Sequence, residues 1–168
     1  MTATQTLEHS PITQTWPEKR VVARLMGSLP AGGVVPETPI HAFATSPECL
    51  QFGYEPTLNP QRYDIDLGGL LGFVINDLVT PNEAQAIIDA SEEFGYRDEA
   101  PGIVTPPGMR MNKSVHWLAD ERMLAPIMTR MKALLPAEID GVQLHPMLSH
   151  RINMYRYDDQ DIFNRHID

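Results

Sequence analysis

The sequence closes on RINMYRYDDQDIFNRHID, and two of its last three residues, His166 and Asp168, are of metal-ligating type. A neutral imidazole and a carboxylate suit a divalent first-row metal. On a strand, residues i and i+2 point to the same side, about 6.6 Å apart at roughly 3.3 Å rise per residue. One ion above that side is within reach of both, each bond being on the order of 2 Å, while Ile167 points away and packs. With six histidines in 168 residues, a His-x-Asp triplet is expected roughly 0.4 times by chance. The triplet alone is therefore more readily a surface strand with two unconnected polar residues.

The elements that must position this pair lie upstream. A strand over about 148–157 precedes it, with Ile152, Met154 and the Arg156 stem on one side and Arg151, Asn153, Tyr155 and Tyr157 on the other. The polar turn DDQD, 158–161, leads into a second strand over 162–168, which is expected to lie close beside the first. The pattern is a candidate site wall, with ligands from one strand and phenol donors from its neighbour.

Further back, LLGFVI (70–75) reads as a buried strand between Gly68-Gly69 and Asn76-Asp77. Thr80, Pro81 and Glu83 open a helix over 80–94 with N-cap, N1 proline and capping box, and Gly95 stops it. Ala84, Ile87, Ile88 and Ser91 are its expected inner face. KSVHWL (113–118) reads as a strand. A second helix runs from near Asp120 to Leu135, with Leu124, Ile127, Met128, Met131, Leu134 and Leu135 at helical spacing and Pro126 in its first turn or breaking a short turn away. Ile87, Ile88, Ile127, Met131 and Leu134 are expected to be mostly buried. Mixed elements in this order predict an α+β class.

Residues 1–62 differ. They hold eight of the 15 prolines, a density that removes backbone donors and forbids long helices. They read as an extended Pro-rich N-terminal arm, with a short helix near EKRVVARLM (18–26), and residues 63–168 as the domain proper. The net charge of −9 opposes a general nucleic-acid or anionic-membrane binder. Cys49 is the single cysteine, which excludes an intrachain disulfide and a cysteine-based zinc site and fits a cytoplasmic protein. No secretory signal or membrane span is expected. The other polar residues have plainer readings. His116 reads as a packed histidine, His145 and His150 as surface residues, His41 as part of the arm, and Asp64 with Asp66 as a solvated strand edge. As a plain connection the loop 97–112 needs no function.

The terminal stretch Tyr155-Arg156-Tyr157, Asp158 to Asp161, Phe163 and His166-x-Asp168 resembles the start of the catalytic core of iron(II)/2-oxoglutarate dioxygenases of the prolyl 4-hydroxylase type. The upstream order GFVIND, capped helix, irregular loop, KSVHW and helix is similar too, so the resemblance covers about 70–168. The usual glycine-bearing turn is DDQD here, which bears on substrate detail. The resemblance implies a double-stranded β-helix (jelly-roll) with supporting helices, His166 and Asp168 as iron ligands, and Tyr157, with Tyr155 beside it, binding the co-substrate. It implies Fe(2+), 2-oxoglutarate and O2, with L-ascorbate as accessory reductant, and a small-molecule or peptidyl substrate hydroxylated at carbon. It also implies that the loop 97–112 closes over substrate, a reading of equal weight with the plain connection. In the family a second histidine and a basic residue follow downstream. The chain is therefore expected to be an N-terminal piece of the catalytic domain, inactive alone. Two other readings stay open: a catalytically dead jelly-roll interaction module, and a cupin-like metal protein of other chemistry.

Overall fold

Four consecutive residues of KSVHWL, Ser114 to Trp117, are buried, so this strand has partners on both faces and both edges. The structure, a computed structural model, describes residues 15–26, 37–98, 111–145 and 147–164. The strands are β1 (Lys19–Leu25), β2 (Thr38–Phe43), β3 (Gln61–Asp64), β4 (Phe73–Asn76), β5 (Lys113–Leu118), β6 (Glu138–Ile139), β7 (Val142–Gln143) and β8 (Arg151–Arg156). The helices are α1 (Pro81–Phe94) and α2 (Glu121–Met131), the latter tightening into a 3-10 turn over Lys132–Leu134. The main sheet is mixed, in the order β1-β2-β5-β8. β1 and β2 are antiparallel, as are β5 and β8, while β2 meets β5 in parallel through the single bridge His41 to Trp117.

Both helices lie on one face of this sheet. Val115 and Trp117 of β5 form a core with Leu50, Ala86, Ala90, Met123, Leu124 and Ile127. Phe94 of α1 stands 5.8 Å from the Trp117 ring, 4.3 Å from Phe43 and 5.5 Å from His41. These contacts place His41 and Phe43 on the helix side of β2, and alternation along the strand then puts Ile40, also buried, on the other.

The N-terminal region departs from its expected form. The stretch expected as a helix, 18–26, is strand β1, because Val21 and Val22 favour a pleated backbone and β2 supplies a ladder along its whole length. Two strands drawn from 1–62 thus share one sheet with β5 and β8. Pro39 fits within β2 because the ladder to β5 is a single bridge, so few donors are needed on that edge.

α1 begins as its residues require. Thr80 Oγ1 accepts from Glu83 N–H at 3.1 Å, and Glu83 Oε2 accepts from Thr80 N–H at 2.9 Å. The buried face is Glu83, Ala86, Ala90 and Ser91; of the expected face Ser91 is buried and Ile87 packs against the core, but Ile88 is 43% exposed. Two small alanines allow close approach to β5, and Glu83 is carried inward by a charge partner. Arg130 of α2 forks onto its carboxylate at 2.7 and 2.8 Å and also donates to Leu78 O and Gly53 O.

Pro126 is not in the first turn but inside α2. It offers no N–H to the carbonyl of Arg122, four residues back. Phe52 N–H donates to that oxygen instead, at 3.1 Å.

β3 and β4 form a separate hairpin, and the expected buried strand over 70–75 is β4, shifted to 73–76 and half-exposed. Only one face of a lone hairpin has a body to pack on. Arg62 lies 4.2 Å over the Phe73 ring and donates to Leu134 O. Leu70, 75% exposed, and Leu71, 50% exposed, lie at the hairpin's far end. β6 and β7 form a minimal hairpin about Asp140-Gly141, both with positive φ (51° and 78°), a turn signal that the residue pattern carried unnoticed.

Candidate functional site

β8 alternates as its residues suggest. Ile152, Met154 and Arg156 are half-buried towards the helices, and Arg151, Asn153 and Tyr155 are exposed on the opposite face. What fixes this orientation is Arg156. Its Nη1 donates to both Glu92 oxygens of α1, at 2.9 and 3.1 Å, and its guanidinium lies 5.0 Å over the Tyr96 ring. The register pairs Ser114 with Tyr155 and His116 with Asn153, and cross-strand partners share a face. The sheet face away from the helices therefore carries a polar group of four: Ser114, His116, Asn153 and Tyr155. Ser114 and His116 are buried and Tyr155 is 40% exposed. His116 is packed, as expected of it, but it belongs to the same wall as the tyrosine, a juxtaposition that the alternation of KSVHWL carries and that needs the register to become visible.

The turn after β8 is tied down by charge. The Asp158 carboxylate receives Lys113 Nζ and lies 3.6 Å from Arg156 Nε. The Lys113 ammonium foremost, with Arg156 behind it, holds this carboxyl below its usual range, and Asp158 in turn raises Lys113. Within the turn Asp161 N–H and Gln160 N–H donate to Asp158 O, at 2.8 and 3.0 Å, and Asp158 N–H donates to Asp161 Oδ2 at 2.9 Å.

The chain then resumes beside β5. Met111 N–H donates to Ile162 O at 2.8 Å. Met111 lies just beyond the Lys113–Arg156 end of the β5–β8 ladder, so Ile162 meets the segment that leads into β5. Of the strand expected over 162–168 beside β8, only residues 162–164 are described, and the rest lies outside the described residues.

Of the residues expected to bind iron and co-substrate, Tyr155 stands on the polar face and Tyr157, 47% exposed, follows the end of β8. His166 and Asp168 lie outside the described residues. Among the described residues no three His, Cys, Asp or Glu side chains gather as metal ligands. His150 sits at the opposite end of β8, its Nδ1 3.0 Å from Ala119 O and its Nε2 3.0 Å from Glu121. Asp64 pairs with Arg62, and Asp66 accepts from Gly68 N–H, so both serve the hairpin.

Comparison with family models, curated proteins and solved structures finds no match. Among the described residues no helix is long and apolar enough to cross a membrane.

Proposed function

We propose that this chain carries the metal-binding wall of a non-haem iron(II), 2-oxoglutarate-dependent dioxygenase of the prolyl 4-hydroxylase type, built on a jelly-roll and hydroxylating a carbon centre of a small or peptidyl substrate in the cytoplasm. The supporting observation is the sheet face away from α1 and α2, on which Tyr155 and Asn153 oppose Ser114 and His116, just before a charge-pinned turn that leads to the His-x-Asp triplet. The donor set fits: imidazole and carboxylate suit iron(II) and leave positions open for exchangeable ligands. When bound, iron with 2-oxoglutarate and O2 supplies the oxidising chemistry, and the chain binds and orients. His166 and Asp168 would hold the metal. Tyr157 and Tyr155 offer phenol hydroxyls to a carboxylate of the co-substrate. Helices α1 and α2 on the far face stiffen the wall.

The test uses the gene product at the length its reading frame encodes, with iron(II), 2-oxoglutarate, ascorbate and O2. The expected result is succinate release that His166→Ala and Asp168→Ala abolish, with a severalfold higher KM for 2-oxoglutarate in Tyr157→Phe. Iron binding indifferent to His166→Ala, without succinate, would overturn this reading in favour of a scaffold. Metal held by His166 whose absorption 2-oxoglutarate leaves unchanged would favour a cupin-like protein of other chemistry.

A further inference from the structure

A second site is independent of that wall. The segment after the 3-10 turn Glu48–Leu50 is fastened to α2 twice at its root. Phe52 N–H takes the Arg122 carbonyl that Pro126 leaves without its helical donor, and Arg130 Nη2 donates to Gly53 O at 2.8 Å. Beyond these anchors residues 54–60 arch away from the helix. Between arch and helix is a cleft of about 560 Å3, within the range of small-molecule sites. Leu58, Pro60 and Pro126 give it apolar walls, and Tyr54, 89% exposed, stands at its edge.

The charges of the cleft select its occupant. Arg130 lines it, but its fork is already filled by Glu83 at 2.7 and 2.8 Å. Glu55 also lines it and lies near enough to raise Arg130 further. One guanidinium against two carboxylates leaves a local surplus of one negative charge, in a chain of net charge −9. An anionic ligand is repelled there, and a neutral one gains nothing from the Glu55 charge. With Arg130 answered by Glu83, a cation with an apolar body suits the rest: its ammonium at Glu55, its hydrocarbon on the prolines and Leu58, and its charge near the Tyr54 ring. We propose that this cleft binds a small organic ammonium with an aromatic or alicyclic body.

The probe is phenethylamine, titrated into the 15N-labelled full chain, with 2-phenylethanol and 3-phenylpropionate as neutral and anionic counterparts. The expected result is saturable shifts of the Gly53, Glu55 and Thr129 amides with the amine. Glu55→Gln should weaken its affinity roughly three- to five-fold, the scale of a partly exposed ion pair. Ala125→Trp, which fills the cleft from an exposed helix position, should abolish binding while the rest of the spectrum stays in place. Absence of saturable shifts, equal binding of 3-phenylpropionate, or no effect of either substitution would overturn the proposal.

Discussion

Trp117 Nε1 donates a 3.0 Å hydrogen bond to Ser91 Oγ, and these two are the largest fully buried side chains among the described residues, at 1% and 0% exposure. Ser91 Oγ in turn donates to Ile87 O at 2.8 Å. The serine passes a proton donor from the central strand into the carbonyl ladder of α1. Ser91→Ala leaves the indole N–H buried without its acceptor, which costs about 1–3 kcal/mol. Urea denaturation followed by tryptophan fluorescence should show that loss; an unchanged midpoint would mean that the bond is dispensable.

The Glu83–Arg130 pair is the most buried ion pair described, both side chains at 10% exposure. Glu83→Leu strands a guanidinium and should cost about 3–5 kcal/mol, whereas Glu83→Leu with Arg130→Met should recover much of it. The pair also sets an acid limit. Burial pushes the Glu83 carboxyl up, but the Arg130 fork and the Thr80 N–H outweigh it and hold the group below its usual 4.5. The stabilisation is therefore present above pH 4.5 and drains away as pH falls through the lower folded value. Thermal melts of the double variant should lose less stability between pH 5 and the acid transition than wild type.

His41 responds in a higher window. Burial first, then the charges of Arg97, Lys19 and Arg24, hold its imidazole below the usual 6.5. Glu93 on α1 is spent on Lys19. An unfolded chain takes up this proton more readily than the folded one, so the contribution is whole above pH 6.5 and shrinks as pH falls below it. His41→Phe keeps a ring against Phe94 and removes the titration. Its Tm should vary less than the wild-type value between pH 7 and 5.5; parallel curves would exclude His41 as the source.

Asp158 and Lys113 pin the turn that delivers the segment after β8. Asp158→Asn should raise amide exchange at Met111, whose N–H is bonded to Ile162 O, severalfold while leaving Trp117 protected. Uniform exchange across β5 would show that the turn melts only with the whole sheet.

Two isoleucines measure how far helix faces can be read from residue type. Ile127 lies where its spacing puts it, at 9% exposure, and Ile127→Ala should cost about 2–5 kcal/mol. Ile88, at 43% exposure, should cost less than 1 kcal/mol or so. Denaturation of the two variants side by side gives the comparison.

The difference shows what was legible. Local signals survived intact: the Thr80–Glu83 box opens α1, Asp120 caps α2, and Lys113–Leu118 is a strand to the residue. These depend on neighbours a few positions apart. The inner face of α1 survived only in part: Ser91 is buried and Ile87 packs on the core, but Ala86 and Ala90 weigh little on a hydrophobic scale and the burial of Glu83 depends on an arginine 47 positions away. β1 was hidden for the same reason, since Arg, Ala and Leu are good helix formers and β2 overrides them. For the candidate site, the alternation of β8 was readable, so Asn153 and Tyr155 were placed on one side. That Ser114 and His116 stand opposite them is a matter of register between strands more than 30 residues apart, and no local pattern encodes it.

The strand order β1-β2-β5-β8 has a consequence for synthesis. The two central strands, β2 and β5, are separated by 69 intervening residues, 44 to 112, and β5 gains its second neighbour only when β8 emerges. During translation at about 5–20 residues per second, the β1–β2 pair waits several seconds with an open edge before Trp117 arrives to close it. Contacts so distant along the chain also slow the final collapse. The nascent chain therefore depends on the α1 region and the trigger of β5 emergence coming in the right order, and a slowly translated stretch between residues 44 and 112 would lengthen the interval in which that edge invites chaperones or a neighbouring chain.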